Sequence, residues 1–435
     1  MFMKKAAVWS GLAFSTLSGA VMAVFAVMPI NAVHAQTAPA CAAVWSTGTV
    51  YNGGDMASEN GNNYHANWWT QGNDPATSNG GSGSGQPWTL QGICGASGGG
   101  DPGGGGGGGG GNPPAPPAGG FLFSPYKDVT INLNWNTNVM RTAAAGGSPI
   151  PVVGSGSLVS TALPNLGAIT LAFASGECGS ESWGGIAPDA FASANIQPLV
   201  DAGVSYVIST GGQAGSFTCG STAGMAQFLS RYASPYMVGL DFDIESGQTP
   251  TQINNLIANA AYAHTLYPNL RFSFTLATLA ASDGSYGGLN GSGDAVVRAV
   301  KASSLSNYTI NLMVMDYGNT SPAVCVVSNG KCDMGQSAIQ AAKNLEHTYG
   351  IPASNIELTP MIGLNDAVTE TFTLSDVDTV VNYAVSQGMA GVHFWSLDRD
   401  TPCASNSGYA SPTCNSVSGS SPLQYSKRFL QDLGK

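Results

Sequence analysis

Met237-Val238-Gly239-Leu240-Asp241-Phe242-Asp243-Ile244-Glu245 alternates apolar and acidic residues one by one from Leu240 onward. Successive side chains of a strand point to opposite faces, so Asp241, Asp243 and Glu245 share one face and Leu240, Phe242 and Ile244 the other. The apolar face calls for covering helices. Three carboxylates are then left on an interior face, at a desolvation cost that pairing or function must offset. A shared metal ion is excluded for the outer pair. Residues i and i+4 of a strand lie about 13 Å apart, whereas calcium sits about 2.4 Å from each oxygen. Stacked carboxylates do oppose one another's ionisation, which keeps a transferable proton at neutral pH. Glu245, last in the run, is the natural donor.

Similar apolar, β-branched runs recur at 129–135, 168–174, 204–209, 270–276, 308–315, 356–362 and 391–395. Segments with apolar residues at three and four spacing lie between most of them, at 188–202, 222–232, 250–266, 294–302, 336–348 and 374–387. Eight strand–helix units in residues 121–435 predict an α/β fold, a (β/α)8 TIM barrel. A doubly wound sheet shares the local pattern, but no GxGxxG opens the first helix. The runs end in polar or aromatic residues: Asn134 with Trp135, Ser209, Glu245, Asp316 with Tyr317, Asn365 with Asp366, and Trp395. In a barrel these ends converge on one mouth, where the chemistry of this fold resides.

Upstream the composition changes. Only 9% of the 435 residues are charged and the formal net charge is -11, which disfavours nucleic acid and other phosphate-bearing partners. Residues 1–35 carry Lys4 and Lys5, an uncharged apolar stretch and the close Val33-His34-Ala35, the pattern of a secretory signal. Cleavage there predicts a secreted, extracellular protein with no membrane contact, an uncleaved membrane anchor being the competing reading of so long an apolar stretch; a monomer is the expected state. The eight cysteines include no CxxC pair, so an even count in an exported chain reads as disulfides rather than a metal site. Connectivity is not deducible from sequence; sequential pairing is the expectation, as Cys41–Cys94, Cys178–Cys219, Cys325–Cys332 and Cys403–Cys414.

Residues 95–120 include nine successive glycines, Gly103 to Gly111, followed by a proline-rich stretch, and have too few apolar side chains to pack a core. They read as a tether between a small domain, 36–94, and the large one. The small domain holds Trp45, Trp68, Trp69 and Trp88, half of the Trp in the chain, beside Tyr51 and Tyr64. Some of these rings must form its core, stapled by a disulfide, and others are free to stack on sugar rings. Tyr64, Ala66, Trp68, Trp69, Thr70, Gln71, Gly72 and Pro75 form a pattern that resembles the family 5/12 carbohydrate-binding modules, small all-β units. That resemblance implies chitin binding through exposed aromatics, with Tyr64, Trp68, Trp69 and Trp88 as candidates.

The large domain resembles the family 18 glycoside hydrolases, whose fourth strand carries DxxDxDxE. Asp241, Asp243 and Glu245 match, while Val238 stands at the first acidic place. Ser209-Thr210-Gly211-Gly212 resembles the SxGG of the third strand, Met313-Val314-Met315-Asp316-Tyr317-Gly318 the sixth-strand motif, and Trp395 the tryptophan that ends the eighth. The resemblance implies a chitinase that needs no cofactor and uses the N-acetyl group of its substrate as nucleophile. Glu245 would be the acid, Asp243 would orient the acetamido group, and Asp241 would hold or release the proton of Asp243. Tyr317 would bond the carbonyl, Asp316 would contact the distorted sugar, and Trp395 would form the floor. Met313, Met315, Trp135 and Asn365 complete the implied substrate contacts, with chitin and chito-oligosaccharides as ligands. A non-catalytic chitin lectin and a hydrolase of protein-linked glycans are the competing functions. Such lectins lack the terminal acid, and a soluble glycoprotein would gain nothing from the aromatic module.

Overall fold

A computed structural model describes residues 41–59, 62–79, 85–94, 120–245, 247–405 and 408–435. The signal reading at 1–35 and nearly all of the tether reading at 95–120 fall outside the described residues.

In the large unit each strand is followed by a helix. The strands are β1 in two pieces, Leu122–Phe123 and Tyr126–Asp128, then β2 Ala168–Ala174, β3 Ser205–Gly211, β4 Met237–Asp243, β5 Arg271–Ala277, β6 Tyr308–Met313, β7 Ile356–Thr359 and β8 Gly391–Val392. The helices are α1 Leu158–Thr161, α2 Pro188–Asp201, α3 Thr222–Tyr232, α4 Pro250–Leu266, α5 Gly291–Ala302, α6 Met334–Tyr349, α7 Leu374–Ser386 and α8 Gln424–Asp432. Each strand pairs in parallel with the next, from β2 to β8. The first piece of β1 pairs with β8 and the second with β2, which closes the sheet into a TIM barrel. Pro125 sits at the break between the pieces, where its missing N–H interrupts the ladder.

The first strand therefore differs from the sequence reading, which placed it at 129–135. Val129, Ile131, Leu133 and Trp135 alternate as a strand would, but Asp128 diverts the chain. Its Oδ1 accepts hydrogen bonds from the Thr130 N–H (2.9 Å) and hydroxyl (2.7 Å), and Asn132 is left-handed at φ 59°. The result is an Asx-type turn on the rim. The true strand was obscured by its proline.

Helix starts follow local chemistry. Ser221 caps α3 through the Gly224 N–H, and Thr249 with Gln252 forms a capping box on α4, whose first residue is Pro250. Helix α8, which the sequence reading did not include, lays Phe429 against Phe123 and Phe394 at ring distances of 5.3 and 5.2 Å and seals the β1–β8 seam. Disulfides join Cys178–Cys219, between the loops after β2 and β3, Cys325–Cys332 after β6, and Cys403–Cys414 after β8.

The small unit is an antiparallel sheet of Met56–Glu59, Asn62–Ala66 and Trp88–Ile93, with Val50–Tyr51 paired to Thr70–Gln71. Cys41–Cys94 staples its ends. Its core is Tyr51, Ala57, Tyr64, Ala66 and Trp88, and the Trp88 ring meets Tyr51 edge-on at 4.9 Å and donates Nε1–H to the Asn73 carbonyl at 2.8 Å. Tyr64 and Trp88 are thus core residues, which corrects their reading as ligand contacts. Trp68 and Trp69, in a bend just beyond the central strand, are 47% and 59% exposed.

Candidate active site

The carboxylate run lies on β4, and parallel register surrounds it with hydroxyls. Ser209 of β3 and Ser273 of β5 are the direct partners of Asp241, and Thr275 is the partner of Asp243. Both Asp241 oxygens are consequently filled. Oδ2 accepts from Ser209 (2.6 Å) and Tyr126 (3.0 Å), and Oδ1 accepts from Ser273 and Thr275 (2.7 Å each). Burial raises the Asp241 pKa, and the four hydroxyls oppose that rise by stabilising the anion. Val238, at the first motif position, packs in an apolar cluster with Leu122, Ala168 and Val207, so no acid stands there.

Asp243 is also buried, but its Oδ1 has no hydrogen-bond partner. Burial pushes its pKa well above the carboxylate range, and the charges of Glu245 and Asp241 add to the rise. Glu245 is half-buried, and burial followed by the charge of Asp316 raises its pKa too. All three shifts run toward the protonated form, and Glu245 is the member that reaches furthest toward solvent.

Steric demand explains the small residues of β3. A Cβ on Gly211 (φ 88°) would collide with the Asp243 carbonyl, and one on Gly212 (φ 81°) would approach the Phe173 ring to 2.9 Å. Both positions accept glycine alone.

A cavity of about 570 Å³ opens at the strand ends, and Asp243 and Glu245 line it. Trp395 forms one wall, stacked on Phe173 at 5.5 Å and 20°. Met313, Met315 and Asp316 line another part. Tyr317 does not. Strand alternation would turn residues 313, 315 and 317 inward together, but Asp316 adopts a left-handed φ of 52° and breaks the alternation. Asp316 then faces the cavity, while Tyr317 is buried in the apolar core with its hydroxyl unpartnered. Its reading as a contact to substrate is corrected accordingly.

Trp135 stands 61% exposed on the rim turn, outside the residues that line the cavity. One further sequence assignment changes. Asn365 is fully buried, donates to the Met361 and Gly363 carbonyls, and accepts from the Asp316 N–H at 3.3 Å. Its neighbour Asp366 lines the cavity instead. Sequence reading missed Tyr126, hidden by the misplaced first strand, along with Phe173 and Gln213. Gln213 directly follows the Gly pair and was open to detection from that position. Below the site, His393 is a packing residue that bonds Ser124 at 3.0 Å. Among the described residues no group of three or more His, Cys, Asp or Glu is arranged to hold a metal ion.

Comparison with known proteins adds three findings. Residues 44–89 match the sequence profile of carbohydrate-binding module family 5/12. The chain is 28% identical over 232 residues to the probable bifunctional chitinase/lysozyme of Escherichia coli (strain K12), a match that covers 48% of this chain and 25% of that protein. It is likewise 28% identical over 232 residues to endochitinase 11 of Metarhizium anisopliae, covering 48% of this chain and 42% of that one. The matches thus span less than half the length of these curated relatives. Active domain 2 of the chitinase from Pyrococcus furiosus shares the fold, with 24% identity, a TM-score of 0.53, and coverage of 74% of this chain and 97% of that domain.

Proposed function

We propose that this chain is a secreted chitinase, a glycoside hydrolase that cleaves β-1,4 bonds between N-acetylglucosamine units with retention, and that residues 36–94 bind chitin. The single observation that carries this reading is the β4 stack. One carboxyl, Glu245, lines the cleft with a raised pKa, above a buried Asp243 that has an unpartnered oxygen. Asp243, directly below Glu245 with one unpartnered oxygen, is placed to hold an acetamido N–H, which favours the acetamido group of the substrate as the nucleophile.

In the reaction, Glu245 gives its proton to the leaving glycosidic oxygen as the acetamido carbonyl oxygen attacks the anomeric carbon. The C–O bond to the leaving sugar breaks and a cyclic oxazolinium ion forms. The open Oδ1 of Asp243 accepts the acetamido N–H and balances the positive charge that develops on it. Water then attacks the anomeric carbon and passes its proton to Glu245 as the bond to the acetamido oxygen breaks, which restores the acetamido group and releases a product with the starting configuration. Trp395 offers an apolar platform to the sugar face, and Met313 and Met315 fill the wall beside it. Asp316 contacts the distorted sugar. The carbohydrate-binding relatives and the exposed Trp68–Trp69 pair support chitin as the polymer recognised, and four disulfides suit an extracellular setting. No described helix is long and apolar enough to cross a membrane.

The test is product analysis on chitin hexasaccharide with wild-type protein beside Glu245→Gln. Wild type should release β-anomers. The variant, which lacks the transferable proton and little volume, should lose at least roughly 100-fold in kcat while still binding the oligosaccharide. Equal turnover by the two proteins would remove Glu245 from the acid role. Binding without hydrolysis by wild type would indicate a lectin.

A further inference from the structure

We propose that Glu370 is a positioning residue that latches the loop after β6 and thereby presents Asp316 to the sugar; this rests on the reading of the cleft given above. Asp316 occupies a left-handed backbone conformation (φ 52°), which aspartate tolerates better than most non-glycine residues and which the hydrogen bonds around it hold in place. Those bonds come from the loop after β7. The Asn365 Oδ1 accepts the Asp316 N–H at 3.3 Å, and the Asp316 Oδ1 accepts the Ala367 N–H at 2.9 Å. Glu370 then takes the next two amides, accepting the Tyr317 N–H at 3.0 Å on Oε2 and the Gly318 N–H at 2.9 Å on Oε1. Its own backbone completes the fold of the β7 loop, donating to the Ala367 carbonyl and accepting from the Asn365 N–H.

Glu370 is fully buried and does not line the cavity, so it acts through Asp316 rather than on substrate. A carboxylate is the side chain that can accept two successive N–H groups with two oxygens. A glutamine there would turn an NH2 donor toward one of them. Burial pushes the Glu370 carboxyl up to about 7, against the pull of the Tyr317 and Gly318 amides. The charged and titratable groups around the two loops are Asp316, Asp366, Tyr317, Glu245 across the cleft, Tyr425 and the buried Arg399. Protonation adds a hydrogen that one carboxyl oxygen must donate, which costs the latch one of its two bonds.

The experiment is a double-mutant cycle on chitin hexasaccharide with wild type, Glu370→Gln, Asp316→Asn and the double variant, across pH 5 to 9. Glu370→Gln should lower kcat/KM by about tenfold at pH 8, and this deficit should shrink below pH 7 as the wild-type carboxyl itself protonates. In the Asp316→Asn background the same change should cost less than twofold. A Glu370→Gln protein within twofold of wild type at pH 8, an unaffected Asp316→Asn protein, or fully additive losses would each overturn the assignment. If Glu370→Gln does not fold, Glu370→Asp, one carbon shorter, enters the same cycle. Should wild type bind the hexasaccharide without hydrolysing it, the catalytic reading fails by itself. The same four proteins, compared by calorimetric affinity, then test the latch under the same criterion.

Discussion

At Asp243 the fold keeps an ionisable group in a place that suits chemistry better than stability. Its carboxyl is buried, one oxygen lacks a partner, and its pKa lies well above the unfolded value, so ionisation is less favourable in the folded chain than in the unfolded one. The folded state therefore binds more protons than the unfolded state above the ordinary aspartate pKa, and stability falls as pH rises through that range. Asp243→Asn removes the ionisation at nearly constant volume. It should raise Tm by about 2 °C at pH 8, of order 1 kcal/mol. The gain should vanish near pH 3, where aspartate is neutral in both states. Activity should be lost with it, because the acetamido group loses its charge partner. Scanning calorimetry of both proteins at the two pH values checks this, and an equal Tm difference at pH 3 and pH 8 would contradict the linkage. The three acids were legible in the sequence because strand alternation alone assigns their common face. Tyr317 was not legible, since a single left-handed residue, Asp316, reverses the alternation just where it was extrapolated. Asn365 was misread for a related reason. Loop residues carry no periodicity, and its role is a backbone hydrogen bond.

At the scale of elements, the floor of the barrel depends on one guanidinium. Arg271 at the start of β5 forms an ion pair with Glu357 of β7, donates to the Ala390 carbonyl before β8 at 3.0 Å, and bonds the Gly120 carbonyl before β1. It thus ties three elements beside the closure, where the strand ladder of β1 and β8 is short, Leu122 with Gly391 and Phe123 with Val392, extended by the Tyr126 N–H donating to the Phe394 carbonyl. Burial opposes the charge on Glu357, but Arg271 and then His393 outweigh it and hold the carboxyl down at about 2. A depressed folded-state pKa means stabilisation that is complete above about pH 4.5 and disappears as pH falls through 2. Glu357→Gln should cost about 3–5 kcal/mol at pH 7, since Arg271 would remain buried without its partner. Urea unfolding should show the difference narrowing between pH 4.5 and pH 2, and a pH-independent difference would point to packing instead. Element boundaries read well from sequence where a run is both apolar and β-branched, as in β2 and β4, and where a cap marks the start, as in α3 and α4. The first strand failed because Pro125 divides it and a more regular decoy follows. Helix α8 went unread because it is nine residues long and polar on its outer side, so the apolar stripe that seals the barrel is brief.

Across the whole molecule, a low charge content and a net charge of -11 leave aromatic surface as the means by which the proposed neutral polymer would be held. The small unit separates its rings into two groups. Trp88 and Tyr51 make the core, with Trp45 packed against it, while Trp68 and Trp69 stand outside it. Removing the exposed pair should therefore abolish polymer binding without unfolding the unit, whereas Trp88→Ala should unfold it by emptying its centre, a loss of about 3–5 kcal/mol. On the proposed reading, a binding unit joined to the cleft raises its local concentration on an insoluble surface, and this advantage does not extend to a short soluble chain. The quantity that isolates the effect is the ratio of the rate on crystalline chitin to the rate on chitin hexasaccharide. In Trp68→Ala/Trp69→Ala that ratio should fall by about tenfold or more at low enzyme concentration, and sedimentation with chitin should leave the protein in the supernatant. The deficit should close as enzyme concentration rises, because the proposed binding unit supplies local concentration and takes no part in the chemistry. A ratio unchanged from wild type would mean that the catalytic cleft alone holds the polymer.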